Sequence, residues 1–398
     1  MIPPEIFEET LLQFFAPIRP FLDDPGVSDI MINGPDQIFI EKKGLLTLTP
    51  AKFPTKEALL AALRNAAQYV GKHLDEERPI LEGRLPDGSR IEAVIPPAAP
   101  DGPCVSIRRF FKEKLTVERL VGFGALTPDA ALALKALVAG KANVMIGGGT
   151  GSGKTSMLNA LGAFIPEGER VVIIEDSKEV QLQRLHAVSL EARPADPKGR
   201  GAVSIRDLFR ATLRLRPDRI VVGEIRGGEA LDIIQAMTSG HGGCLGTLHA
   251  TFPKDTLSRL ETMAMMSDVQ MPLQALRIQI ASGVNFIVQV NRLQDGSRKM
   301  THISEVTGIN HETAEYFTQD IFHRVYHGVN PDGSINSDFL PTGILPNFLP
   351  HLIEHGEDMP PIVYEMARQL QANAGYAGGH GGGHGGGHGG AGGLPSYG

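Results

Sequence analysis

One stretch of this 398-residue chain has residue types and spacing that specify a reaction partner. Gly148-Gly149-Thr150-Gly151-Ser152-Gly153-Lys154-Thr155 matches G-x-x-x-x-G-K-[ST], the pattern of a loop that wraps the phosphates of a nucleoside triphosphate. Glycines let backbone N–H groups turn inward around the β-phosphate, and the N-terminus of the following helix adds its positive end. In that chemistry the Lys154 ammonium reaches the β- and γ-phosphate oxygens and the Thr155 hydroxyl holds Mg²⁺. Ser156, next in the chain, joins the nucleotide-binding set. The predicted ligands are ATP and Mg²⁺.

Acids follow two apolar runs. Val171-Val172-Ile173-Ile174 leads into Glu175-Asp176, and Ile220-Val221-Val222-Gly223 leads into Glu224. In a parallel sheet such strand ends gather on one edge beside the phosphate loop, where acids hold the metal's water shell or polarise the attacking water. Glu175 is read as the base for water and Glu224 as the metal-water ligand, although either acid alone could be surface charge closing a strand. Gly223 stands where an Asp is often found. His249 closes another strand at the same edge and is a candidate γ-phosphate sensor, while His241, in the turn Gly240-His241-Gly242-Gly243, reads more simply as structural. Arg206, Arg210 and Arg214 are spaced by four, which on one helix would put them on one face, as a salt-bridged surface or a subunit contact.

These residues need elements to position them. Helical spacing over Pro54–Val70, strands at Leu81–Leu85 and Arg90–Ile95 around the turn Pro86-Asp87-Gly88, and a strand at Cys104–Phe110 predict a small mixed first domain over 1–119. From Thr127 helix and strand alternate, with strands at Asn143–Ile146, Arg170–Ile174, Ala187–Glu191, Arg219–Val222 and Cys244–Leu248. That order predicts a doubly wound α/β domain over 120–308. Residues 309–373 read as a less regular extension. From Ala374 to 398 the chain is mostly glycine with His380, His384 and His388, a composition that predicts disorder.

Composition sets limits. The formal net charge is −7 and the pI near 6.0, against the basic surplus that nucleic-acid wrapping uses. A nucleic-acid-translocating motor is therefore the alternative reading, and no nucleic-acid partner is expected. Cys104 and Cys244 make neither a disulfide framework nor a zinc site and suggest reduced thiols in a cytoplasmic protein. Pro3, Pro4, Glu5, Glu8 and Glu9 do not fit a signal peptide. The apolar stretch Ile280–Val290 is too short to cross a bilayer, which takes about 20 residues, so membrane association is expected to be peripheral only.

Longer runs are recognisable. Ser204-Ile205-Arg206-Asp207-Leu208, then Leu213 through Arg216-Pro217-Asp218-Arg219 to Gly223-Glu224-Ile225-Arg226-Gly227-Gly228-Glu229-Ala230, closely resemble the secretion ATPase superfamily, which powers type II and type IV secretion and pilus assembly. Ser239–Gly243 through Thr247-Leu248-His249-Ala250 is similar to its histidine box, and Val27–Gly34 and Gly83–Arg90 to its N-terminal domain. Within it the chain is most similar to the CpaF/TadA branch of tight-adherence (Flp) pili. The resemblance implies a PAS-like α+β N-terminal domain, a RecA-like ATPase domain and a hexameric ring acting on inner-membrane platform proteins. It implies Glu175 and Asp176 as an acidic box, Glu224 as the Walker B acid, His249 as the histidine-box residue, and Arg90, Arg108 and Arg109 as cations closing over the nucleotide.

Overall fold

The computed structural model describes residues 4–42, 44–110, 115–182, 185–195, 199–310 and 312–378. Near the N-terminus, β1 (Val27–Asn33), β2 (Gln37–Lys42), β3 (Leu45–Leu48), β4 (Ile80–Arg84), β5 (Arg90–Val94) and β6 (Cys104–Arg108) form an antiparallel sheet in the order β3-β2-β1-β6-β5-β4. Alternation builds it: in β6, Val105 and Ile107 are buried while Cys104, Ser106 and Arg108 are exposed, as expected of a strand with one covered face. The cover is the helix Lys56–Tyr69, begun where the Thr55 hydroxyl accepts the Ala58 N–H at 3.1 Å, a cap of the usual kind. Its Leu59, Leu63 and Ala66 share a core with Ile30 and Ile107.

The second sheet is built on the other plan. β7 (Val144–Gly148), β8 (Val171–Glu175), β9 (Ala187–Glu191), β10 (Arg219–Val222), β11 (Leu245–His249) and β12 (Phe286–Arg292) run parallel in the order β12-β7-β11-β10-β8-β9. Val171 to Ile174 are all buried, the continuous apolar run of a strand covered on both faces. Helices Pro128–Ala139 and Lys154–Gly162 pack one face. Ile205–Thr212, Glu229–Thr238, Pro253–Ala264 and Leu273–Gly283 pack the other. This is an α/β fold with one antiparallel and one mixed sheet.

Two expectations need correction. The span 309–373 is not irregular: β13 (Arg298–Ile309), β14 (Tyr316–Val329) and β15 (Ile335–Pro341) extend the second sheet antiparallel from β12. Arg214 lies beyond the helix Ile205–Thr212, so the arginine stripe does not form; Arg206 and Arg210 instead flank Asp232, at 2.7 and 3.5 Å. The final helix, Pro361–Gly378, continues past Ala374, and His380, His384 and His388 lie outside the described residues. No helix among those described is long and apolar enough to cross a membrane.

Candidate active site

Parallel strands deliver their C-terminal ends to one edge, and here that edge carries the chemistry. β7 runs into the loop at Gly148, which pairs in register with His249 at the end of β11. β10 is next and leads to Glu224, then β8 ending in Glu175. The loop turns into its helix at Gly153, φ +96°, a conformation that glycine alone adopts cheaply. No atom of the described residues stands near where a Gly149 side chain would be, so the loop's upper side is open among them. An open cleft of ≈ 370 Å³ beside it is lined by Gly149, Thr150, Ser152, Thr251, Asn291 and Arg292. Ser152 Oγ donates to Gly149 O at 2.9 Å, and Arg298 Nε donates to Gly151 O at 2.7 Å.

Lys154 is buried with its ammonium turned back on the loop, donating to Gly148 O at 3.1 Å and Gly149 O at 3.0 Å. Burial holds its pKa below the usual lysine value, and Arg108 and Arg226 push the same way against Glu224 and Glu179. The ammonium also lies 3.4 Å from His249 Nδ1, whose other nitrogen, Nε2, lies 2.6 Å from Glu224 Oε1. Burial first, then Lys154, lowers the His249 pKa. The imidazole is thus neutral near pH 7, with Nδ1 facing a cation and the Nε2 proton facing a carboxylate. Arg226 holds Glu224 Oε2, its Nε at 2.8 Å, and reaches Asp176 at 3.1 Å.

A triphosphate fits this cradle: a buried lysine is held by two carbonyls of its own loop and by the His249 ring. Among the described residues no group of three His, Cys, Asp or Glu could hold a metal. Thr155 and Glu224 are the residues that would hold a Mg²⁺, a cation that takes few protein ligands beside the phosphates of its nucleotide.

Glu175, read from the sequence as the base for water, is buried. Only 3% of it is exposed, and its Oε1 accepts the Glu179 and Val180 N–H groups at 2.9 and 2.8 Å. Its Oε2 is buried without a hydrogen-bond partner among the described residues. Burial pushes its pKa up to about 7 although both N–H groups favour the anion. A carboxylate so enclosed does not meet solvent water. The acid facing the loop is Glu179, which sequence reasoning missed, with Oε2 3.4 Å from Thr155 Oγ1 and Oε1 3.4 Å from Arg90 Nη1. Gly223 is explained by the same packing, because a Cβ there would stand 2.7 Å from Glu175 Cγ. Gly223→Ala should therefore lower stability by about 1–3 kcal/mol, measured by denaturant unfolding; an unchanged midpoint would show that Glu175 is not seated on Gly223.

The N-terminal cations divide. Arg90 reaches Glu179, and Arg108, its register partner on the neighbouring strand, is near enough to oppose the charge of Lys154. Arg109 is not brought to the loop: it donates to Phe21 O at 2.7 Å and lies beside Asp87 within its own sheet. Arg84 does cross to the second sheet, donating to Ser177 Oγ at 2.5 Å and Lys178 O at 2.8 Å. Glu41 crosses at the other end, to Arg298 at 3.0 Å and Arg292 at 3.3 Å. His241 precedes β11 and so lies at the edge opposite the loop.

The family model described as type II/IV secretion system protein matches residues 12–327. The chain belongs to this family. Two relatives bear names from conjugation. A putative conjugal transfer protein of Mycobacterium tuberculosis is 34% identical over 294 residues, covering 72% of this chain and 83% of that one. The conjugal transfer protein TrbB of Rhizobium radiobacter is 34% identical over 304 residues, covering 75% and 90%. The Legionella pneumophila ATPase DotB shares the fold, with a TM-score of 0.50 at 22% identity over 72% of this chain and 79% of that one. Membership makes this chain a relative of secretion-system ATPases.

Proposed function

We propose that the chain is a Mg²⁺-dependent ATP hydrolase that works as a homo-hexameric ring at the cytoplasmic face of an inner membrane. In this reading it turns hydrolysis into movement of a platform protein for secretion or pilus assembly. The observation that supports it is the convergence of Lys154, Thr155, His249, Glu224 and Glu179 around one loop, with Arg90 reaching in from the other sheet. We read the larger unit, 120–308, as RecA-like and the first, 1–119, as PAS-like. The finer reading, the CpaF/TadA branch, rests on the motif runs quoted above, while the names of the relatives support a part in conjugal transfer.

The division of labour follows from position. Gly148 to Gly153 present backbone N–H groups to the phosphates, and Lys154 and Arg108 supply positive charge where negative charge builds. Arg90 holds Glu179 from the opposite sheet and is freed for phosphate when that contact opens. Glu179 orients the attacking water and accepts its proton. Neutral His249 bridges Lys154 and Glu224, so that a shift of the lysine toward phosphate is felt by the acid. Thr155 and Glu224 would hold the metal, which when bound would neutralise phosphate charge.

The test is phosphate release and sedimentation on the purified full-length chain. We expect release that stops with EDTA, and a species of six-fold mass. No release with Mg²⁺ and ATP would overturn the hydrolase reading, and a monomer under all nucleotide conditions would overturn the ring. DNA raising the rate with a steep salt dependence would favour a nucleic-acid motor instead.

A further inference from the structure

Glu175 is buried at the heart of the site yet turned away from it, and the proposed reaction does not use it. It closes the turn that begins at its own backbone: Oε1 accepts the amides of Glu179 and Val180. The segment 176–180 is therefore a loop pinned to the residue that precedes it. Other contacts hold the same segment. The Gln181 N–H donates to Asn159 Oδ1 at 2.8 Å, tying the turn to the helix that starts at Lys154. Val180 is fully buried. From the first sheet, Arg84 grips Ser177 and Lys178.

We infer that Glu175 is a positioning residue: its side-chain oxygen, through the Glu179 and Val180 amides, sets where the Glu179 carboxylate stands relative to Thr155. The inference rests on the reading that Glu179 orients water. The geometry excludes the rival role of Glu175 as base, since one oxygen is occupied by two donors and the other is sealed inside the protein. It also explains the length of the side chain. The oxygen must reach back over amides four and five positions ahead, with the carboxyl group lying against Gly223.

What matters in this role is a hydrogen-bond acceptor, not a charge or a basic group. Glu175→Gln keeps an acceptor oxygen of the same reach, whereas Glu175→Ala removes it. Hydrogen exchange on the nucleotide-free protein reads the anchor directly. We expect E175Q to protect the Glu179 and Val180 amides as the parent does, and E175A to exchange them at least about tenfold faster. In turnover, E175Q should keep kcat within about threefold, and E175A should lose about 100-fold with KM for ATP little changed, the scale of an angstrom-sized misplacement.

E175Q as inactive as E175A, with both amides still protected, would overturn the inference in favour of a chemical role for the carboxylate. Unchanged exchange in E175A would overturn the anchor itself. If E175A does not fold, E175Q still decides, because loss of its amide protection or of its turnover contradicts the inference. A fully active Glu179→Gln would remove the role given to Glu179 while leaving the exchange result to stand or fall alone.

Discussion

Replacing Lys154 with Ala is expected to lower phosphate release by about 10²–10³-fold or more, the scale seen when one preorganised transition-state donor is removed. The size follows from burial. A cation kept from water acts in a low effective dielectric, where its interaction with developing phosphate charge is several times stronger than at the surface. Glu224 and Glu179 favour the charged form, against the desolvation that lowers its pKa. The variant should fold, because the Gly149 carbonyl that loses its donor sits beside an open cleft and can be hydrated, while the Gly148 carbonyl keeps the Ala250 N–H. Circular dichroism therefore accompanies the assay, and a folded K154A protein with parental turnover would refute the site.

Glu179→Gln is the second large effect. The amide is nearly isosteric with the carboxylate and can still meet Thr155, so fold and nucleotide affinity should persist. Basicity is lost, and with it about 10²–10⁴-fold in kcat, the usual worth of a positioned general base. Steady-state kinetics should show the loss in kcat with KM for ATP little altered. An equal loss in both, or none, would move the task to Glu224.

The phosphate loop was legible because its chemistry needs eight contiguous residues of restricted type. The strand-end acids were legible because parallel strands bring their ends together. What could not be read was which acid of Glu175 and Glu179 turns outward, since that depends on how a five-residue turn closes. A hint was present: Glu175 directly continues a wholly apolar strand, and a glycine, Gly223, occupies the matching place after β10. The grouping of Arg108 with Arg109 ignored a rule the sequence does contain. Neighbouring strand residues face opposite ways, so both could not point at one ligand. The strands β13 to β15 were hidden by composition. The β14 segment Tyr316–Val329 mixes Thr, Gln, Asp and His with its apolar residues, and its partners are set by a sheet that begins far upstream.

The contacts between the two sheets are a latch of low load. At one end Arg84 and Arg90 reach Glu191 and Glu179; at the other, Glu41 meets Arg292 and Arg298. All four arginines keep more than a quarter of their side chains in solvent, and such pairs contribute roughly 0–1 kcal/mol each. Releasing these four ion pairs thus costs a few kcal/mol, whereas a micromolar ligand brings about 8 kcal/mol. A joint this weak can be driven either way by filling or emptying the loop it adjoins, which is what a reversible moving part requires. A large apolar seam would have locked the two bodies into one.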